Sequence, residues 1–312
     1  MLDAGVTDAG LSDAGLSDGG GPSGLPLRDG GFVPGSIAAR YDHRRWWWTP
    51  SNRTTWALLD PRGFAPWPDD RSLRFYEASE LAADPAPLTI PAPAVYDFMR
   101  DAGLTLEQPP LDGVSFVITG NEGYHLDEDG YGDFAWDLVR VGADGGRFRG
   151  AGLTNADYEI WDAPVVLPTG GLVIEVENGA PDNAPGSYDA GATNNLVGVH
   201  LAGGYSLYLL HFRQGTIPTP DAGCEPALPG VRCVEPGRVL PAGTYLGRVG
   251  NSGVSLEPHL HATVLFFGPD AGRGWSVPSG FSNLHLSRGD AGASLHPFVV
   301  PRSGDLLSGR PF

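Results

Sequence analysis

Between about residue 111 and residue 290, apolar positions recur at every second residue in short runs. These are VSFVIT (114–119), FAWDLVRV (134–141), GLVIEVE (171–177), NLVGVHL (195–201), YSLYLLHF (205–212), YLGRVG (245–250) and HLHATVLFF (259–267). A period of two sends neighbouring side chains to opposite faces of a sheet, so each run predicts a strand. Turn residues such as Gly203-Gly204 and Gly250-Asn251-Ser252-Gly253 separate several of them. NLVGVHLAGGYSLYLLHF reads as a hairpin, apolar alternation running along both arms. Strict alternation puts Tyr205, Leu207, Leu209 and His211 on one face, and His200 with Leu196 and Gly198 on one face of the facing arm. His200 reads as structural. Apolar residues at helical spacing are rare; APAVYDFMRDAGL (92–104) predicts a short helix carrying Val95, Phe98 and Met99 on one side. The expectation is an all-β domain with at most a minor helix.

The flanks break this pattern. Residues 1–29 repeat the unit DAG and then decay to SDGGGPSG. Small polar and acidic residues bury too little surface to offset backbone ordering, so a disordered linker is expected. Residues 30–110 form an accessory segment that includes RRWWWTPSNRTTWALLD. Its Trp46, Trp47 and Trp48 read as packing residues, with a carbohydrate-binding face as the other reading. Residues 291–312 are Pro-rich and read as a tail. Composition sharpens the picture: Gly 46 and Pro 29 in 312 residues favour turns and short strands over long helices.

Charge excludes one class of partner. The formal net charge is −17, and every basic side chain is arginine. Such a chain is repelled by phosphate backbones, which argues against nucleic acid. No apolar run has the length of a membrane span. No signal peptide is visible after Met1, so export would depend on a leader outside this sequence. The cysteines, Cys224 and Cys233, share one Pro/Gly-rich segment. Their spacing suits a small disulfide-closed loop, with free thiols as the other reading; a disulfide places the chain in an oxidising, extracytoplasmic compartment.

Candidate chemistry lies in the histidines and one acid. His259 and His261 flank Leu260 at the start of a strand and therefore point the same way. Asp137 is a carboxylate inside an apolar strand, costly unless it is paired or bound to a cation; Arg140 and Arg147 are candidate partners. His125 follows an earlier strand and alone reads as a surface residue. His211 ends a hairpin arm and alone reads as a core or edge residue. Taken together, such groups match the N/O donors and open position of a catalytic zinc. There is no HExxH, which excludes the helical zinc-protease pattern.

At these residues the chain resembles the lysostaphin-type, or LytM-like, zinc metallopeptidases. GRVGNSGVSLEPHLHATV (247–264) resembles the family's glycine turn and His-x-His strand. NNLVGVHLAGGYSLYLLHF (194–212) resembles its hairpin, and FAWDL (134–138) one form of its aspartate strand. The resemblance covers residues 111–290. It implies an antiparallel β-sandwich with a substrate groove, a Zn2+ ion held by His125, Asp137 and His261, and catalytic roles for His211 and His259. Asp129 competes with Asp137, because many members have the shorter spacing, but it sits in an acidic turn. The implied activity is a zinc metalloendopeptidase cutting peptide bonds, in peptidoglycan crosslinks above all, with a metal-activated water assisted by two histidines. The alternative is a catalytically silent module that binds cell wall or regulates another hydrolase. A latent, self-inhibited form is also open.

Overall fold

The computed structural model describes strands 72–75 and 88–91, and then residues 104–120, 135–189, 191–201, 205–222, 224, 232–267, 274–276, 279–288, 292–301 and 304–312. The expected linker at 1–29, most of the accessory segment, the helix expected at 92–104 (save Leu104), His125 and Asp129 lie outside these residues.

The strands are β1 (Ser72–Phe75), β2 (Leu88–Pro91), β3 (Thr105–Leu106), β4 (Ser115–Gly120), β5 (Trp136–Val139), β6 (Pro164–Val166), β7 (Gly171–Glu177), β8 (Leu196–His200), β9 (Tyr205–Leu210), β10 (Val239–Leu240), β11 (Tyr245–Arg248), β12 (Leu260–Phe267), β13 (Gly274–Ser276), β14 (Gly280–Arg288), β15 (Ser294–Val299) and β16 (Asp305–Ser308). Among the described residues the helical content is one 3-10 turn, Asn155–Asp157, so the fold is nearly all β, as the alternation predicts. No helix there is long and apolar enough to cross a membrane.

One sheet dominates, in the order β10-β7-β8-β9-β12-β5-β4-β16-β14-β15, with β13 added to β12 and β3 to β14. Its pairs are antiparallel except β14 with β3. Leu207 and Leu209 of β9, and Leu260, Ala262 and Val264 of β12, enter the main core. The small sheet of β6 and β11 closes that core from the other side through Val165 and Leu246, in the same cluster as Val173 and Val197. The opposite face of the large sheet carries a second apolar cluster, Leu196, Tyr208, Leu210 and Leu265. Both faces are therefore buried, so β8 and β9 place apolar side chains on each side of the sheet, beyond the single apolar face that the alternation alone implies.

Residues 291–312, which read as a tail, contribute β15 and β16 to the main sheet. Pro297 lies inside β15, and the strand tolerates it because β15 ends the sheet order, where one row of backbone donors needs no partner. Arg288 and Asp305 staple β14 to β16 through two hydrogen bonds of 2.8 Å. Cys224 and Cys233 are joined by a disulfide, with Cα atoms 5.4 Å apart.

Candidate metal and catalytic centre

One rung of the sheet carries the centre. Leu196 of β8 pairs with Leu210 of β9, Leu210 with His261 of β12, and His261 with Asp137 of β5. Residues opposite one another on adjacent strands hold their Cβ atoms about 4.5–5.5 Å apart, so the sheet itself presents His261 to Asp137. The distance from His261 Nδ1 to Asp137 Oδ1 is 3.1 Å. His259 precedes β12 by one residue and shares the face of His261, while Leu260 between them enters the core. The Nε2 atom of His259 lies 3.4 Å from the same Asp137 oxygen. Asp137 thus meets histidines, not the arginines that the sequence offered. Arg140 donates to the carbonyl of Asp112 at 2.6 Å, and Arg147 pairs with Glu257.

His211 joins the group from β9. Its ring centroid lies 4.5 Å from that of His259 and 5.9 Å from that of His261. Nitrogen atoms of His211, His259 and His261 all fall within 4.8 Å of one another, close enough to share one ion. The alternation expected for His211 fails here. Leu209 enters the main core and Leu210 faces the centre, yet His211 also faces the centre and Phe212 returns to the core. The cause is a left-handed backbone at His211, φ 68°, which breaks the period of two by one position.

The Gly250–Gly253 turn packs directly behind these rings. A side chain at Gly250 would meet the Arg213 backbone at 2.3 Å, and Gly253 stands at φ +76° with Asn194 Oδ1 only 1.9 Å from where a Cβ would be. Only glycine fits at either place. The turn's carbonyl at Ser252 accepts the Nδ1 hydrogen of His211 at 2.7 Å. Similarly, the carbonyl of Glu257 accepts from His259 Nδ1 at 2.8 Å. A carbonyl oxygen can only accept, so both rings carry hydrogen on Nδ1 and turn Nε2 towards the centre.

Electrostatics then separates the two rings. Burial pushes His211 well below the usual histidine range, and repulsion from His259 and His261 adds to it, against weaker support from Ser252 and Asp137. His211 is a neutral imidazole with a free lone pair on Nε2. Burial also opposes charge on His259, but the Asp137 carboxylate, by charge and by hydrogen bond, more than offsets it and raises the group to about 9. His259 is a proton-bearing donor. Asp137, His211 and His261 are 7%, 1% and 0% exposed, so these interactions act in a poorly screened environment.

Several buried polar residues behind the centre were given no role by the sequence. Asn195, Ser252 and Ser255 are buried at 0%, 0% and 2% exposure. The Asp182 carboxylate takes the backbone N–H groups of Asn251 at 2.7 Å and Gln214 at 3.1 Å. Asn195 lies just before β8, and Asp182, Ser252 and Ser255 lie in turns and loops outside the strands, so the apolar pattern that marked Asp137 does not mark them.

Comparison with protein-family models gives no match, and neither does comparison with curated protein sequences. Solved structures do match in part. They include a zinc-containing peptidase from Vibrio cholerae, at 15% identity over 66% of this chain and 44% of that one, TM-score 0.31. Another is the catalytic domain of the prophage-encoded M23 protein EnpA of Enterococcus faecalis, at 19% identity over 55% of this chain and 92% of that one, TM-score 0.31. A third is the M23 metalloprotease pseudoalterin, from the deep sea, at 19% identity over 67% of this chain and 97% of that one, TM-score 0.34. The chain spans between 44% and 61% of the first solved structures it matches.

Proposed function

We propose that this chain is a zinc-dependent metalloendopeptidase whose ion is held by Asp137 and His261, with His125 as the third ligand, and whose catalytic histidines are His211 and His259. The observation that carries the reading is the convergence of three imidazoles within 4.8 Å of one another beside a buried carboxylate. The donor set fits zinc. Imidazole nitrogen and carboxylate oxygen are its usual ligands in catalytic sites, and the cysteines are tied up in a disulfide. Sequence supplies His125 by resemblance.

When bound, zinc supplies Lewis acidity at the scissile carbonyl and a water acidic enough to attack near neutral pH. The protein's own groups divide the remaining work. Neutral His211 offers Nε2 as the base that takes the proton of the attacking water. His259 keeps a hydrogen on Nε2 and donates it to the oxyanion that develops on the substrate carbonyl. Asp137 lies 3.4 Å from His259 Nε2 and orients the ring. Low exposure makes each of these interactions stronger than it would be in water.

The substrate class that the resemblance favours is the peptide portion of peptidoglycan. The disulfide supports an extracytoplasmic setting, since such bonds persist in oxidising compartments. The test is metal analysis of the purified chain together with mass spectrometry of a cell-wall digest. Zinc at one equivalent and new peptide termini are expected, both lost with a chelator. His211→Ala should abolish cleavage while zinc stays bound. Full activity in that variant refutes the assigned role, and bound zinc without cleavage of any crosslink supports the silent module instead.

A further inference from the structure

His211 holds a backbone conformation that its sequence context does not favour. Left-handed φ, here 68°, is sterically disfavoured in a residue that carries a Cβ. Two buried polar residues surround that strain. The Asn195 side chain is fully bonded: Oδ1 accepts the Ala180 N–H at 2.8 Å, and Nδ2 donates to the carbonyls of Ala180 at 2.8 Å and Phe212 at 2.9 Å. Its carbonyl also accepts the Phe212 N–H at 3.1 Å. Ser252 Oγ accepts the Asn195 N–H at 3.0 Å and donates to the Phe212 carbonyl at 2.9 Å. Residue 212 is therefore gripped at its N–H by Asn195 and at its carbonyl by both residues. Ser252 then uses its own carbonyl to take the His211 Nδ1 hydrogen at 2.7 Å.

We infer that Asn195 and Ser252 form a positioning clamp for His211, fixing both its left-handed backbone and the tautomer that leaves Nε2 bare towards the centre. The inference rests on the proposed peptidase function for its kinetic consequence, but not for its structural one. Without the clamp, residue 211 relaxes to extended backbone. Period-two alternation then returns its ring to the core side with Leu209, away from His261. Residue 252 acts at both levels, through its hydroxyl on the backbone and through its carbonyl on the ring.

Ser252→Ala removes the hydroxyl and leaves the carbonyl. In the zinc-loaded full chain, kcat should fall ~10–100-fold, as for other groups that orient a reacting residue, with KM changed less than about twofold. Zinc content should not change. Nitrogen-15 spectra of the histidine rings should show His211 as a single Nδ1–H tautomer in the wild type and as a mixture in Ser252→Ala. Ser252→Thr, which restores the hydroxyl, should recover the single tautomer. An Nε2–H tautomer in the wild type overturns the inference, and that measurement decides even if Ser252→Ala does not fold. Full kcat and an unchanged tautomer in a folded Ser252→Ala overturn it as well. The ring spectra need no turnover. A wild type with the Nδ1–H tautomer but no cleavage of any cell-wall peptide would end the peptidase reading and leave the clamp standing.

Discussion

Asp137→Asn in metal-free protein isolates the electrostatics of the centre. His259 ordinarily titrates near 6.5 and is raised to about 9 beside Asp137. A rise of that size corresponds to about 3 kcal/mol of preferential binding of the proton by the native state. Below 6.5 the folded and unfolded chains both hold the proton, and the stabilisation is fully present. Between 6.5 and about 9 only the folded chain holds it, so stability falls as pH rises, and above about 9 it is gone. His211 does not blur this window. Its native value lies well below 6.5, so it is neutral in both states above that pH, and its own linkage acts only in more acidic solution, where it destabilises the fold. Urea unfolding in the presence of a chelator, repeated from about pH 6 to about pH 9.5, reads the slope directly. The wild type should lose on the order of 3 kcal/mol across that range and Asp137→Asn much less, the two curves converging at the alkaline end. Equal slopes in the two proteins, or a wild type whose stability is flat across the window, would show that Asp137 does not hold a charged His259.

Two further perturbations test the scaffold. Replacing Cys224 and Cys233 together by serine opens a short loop, a sequence separation of 9. The loop-entropy relation gives a loss of about 2–3 kcal/mol, measured by thermal unfolding, and no change in zinc content. Gly198→Ala places a Cβ 2.8 Å from the Tyr208 ring and 3.2 Å from Glu175 Cβ. Overpacking of this kind costs about 1–3 kcal/mol, and an unchanged denaturation midpoint would mean that the ring is free to move aside.

Different parts of the centre were legible in the sequence to different degrees, and the reasons are physical. His259 and His261 could be placed on one face because β12 is regular there, and Leu260 between them enters the core as alternation requires. Asp137 announced itself as a charge in an apolar strand. The disulfide followed from spacing and loop composition. The face of His211 was not legible, because a single left-handed residue inverts the alternation and nothing in YLLHF encodes it. β15 was hidden by Pro297, which is tolerated only because the strand lies at a sheet edge, a fact of tertiary order.

The same contrast explains how the centre is built. Asp137 and His261 come from adjacent strands at one register, so ordinary sheet pairing is enough to bring them together. Such a pair is as rigid as the sheet, which suits the ligand role proposed for it. His211 is different. Regular pairing would bury its ring in the core, and its position depends on departing from that pairing at one residue. A departure that costs energy persists only if surrounding groups over-determine it, and a densely bonded set of buried amide, hydroxyl and backbone groups stands at that point. The proposed ligands Asp137 and His261 are thus specified by strand register, whereas the proposed base, His211, is specified by a polar network distant from it in sequence. Substitutions in the network should therefore separate metal binding from turnover, which substitutions at Asp137 or His261 cannot do.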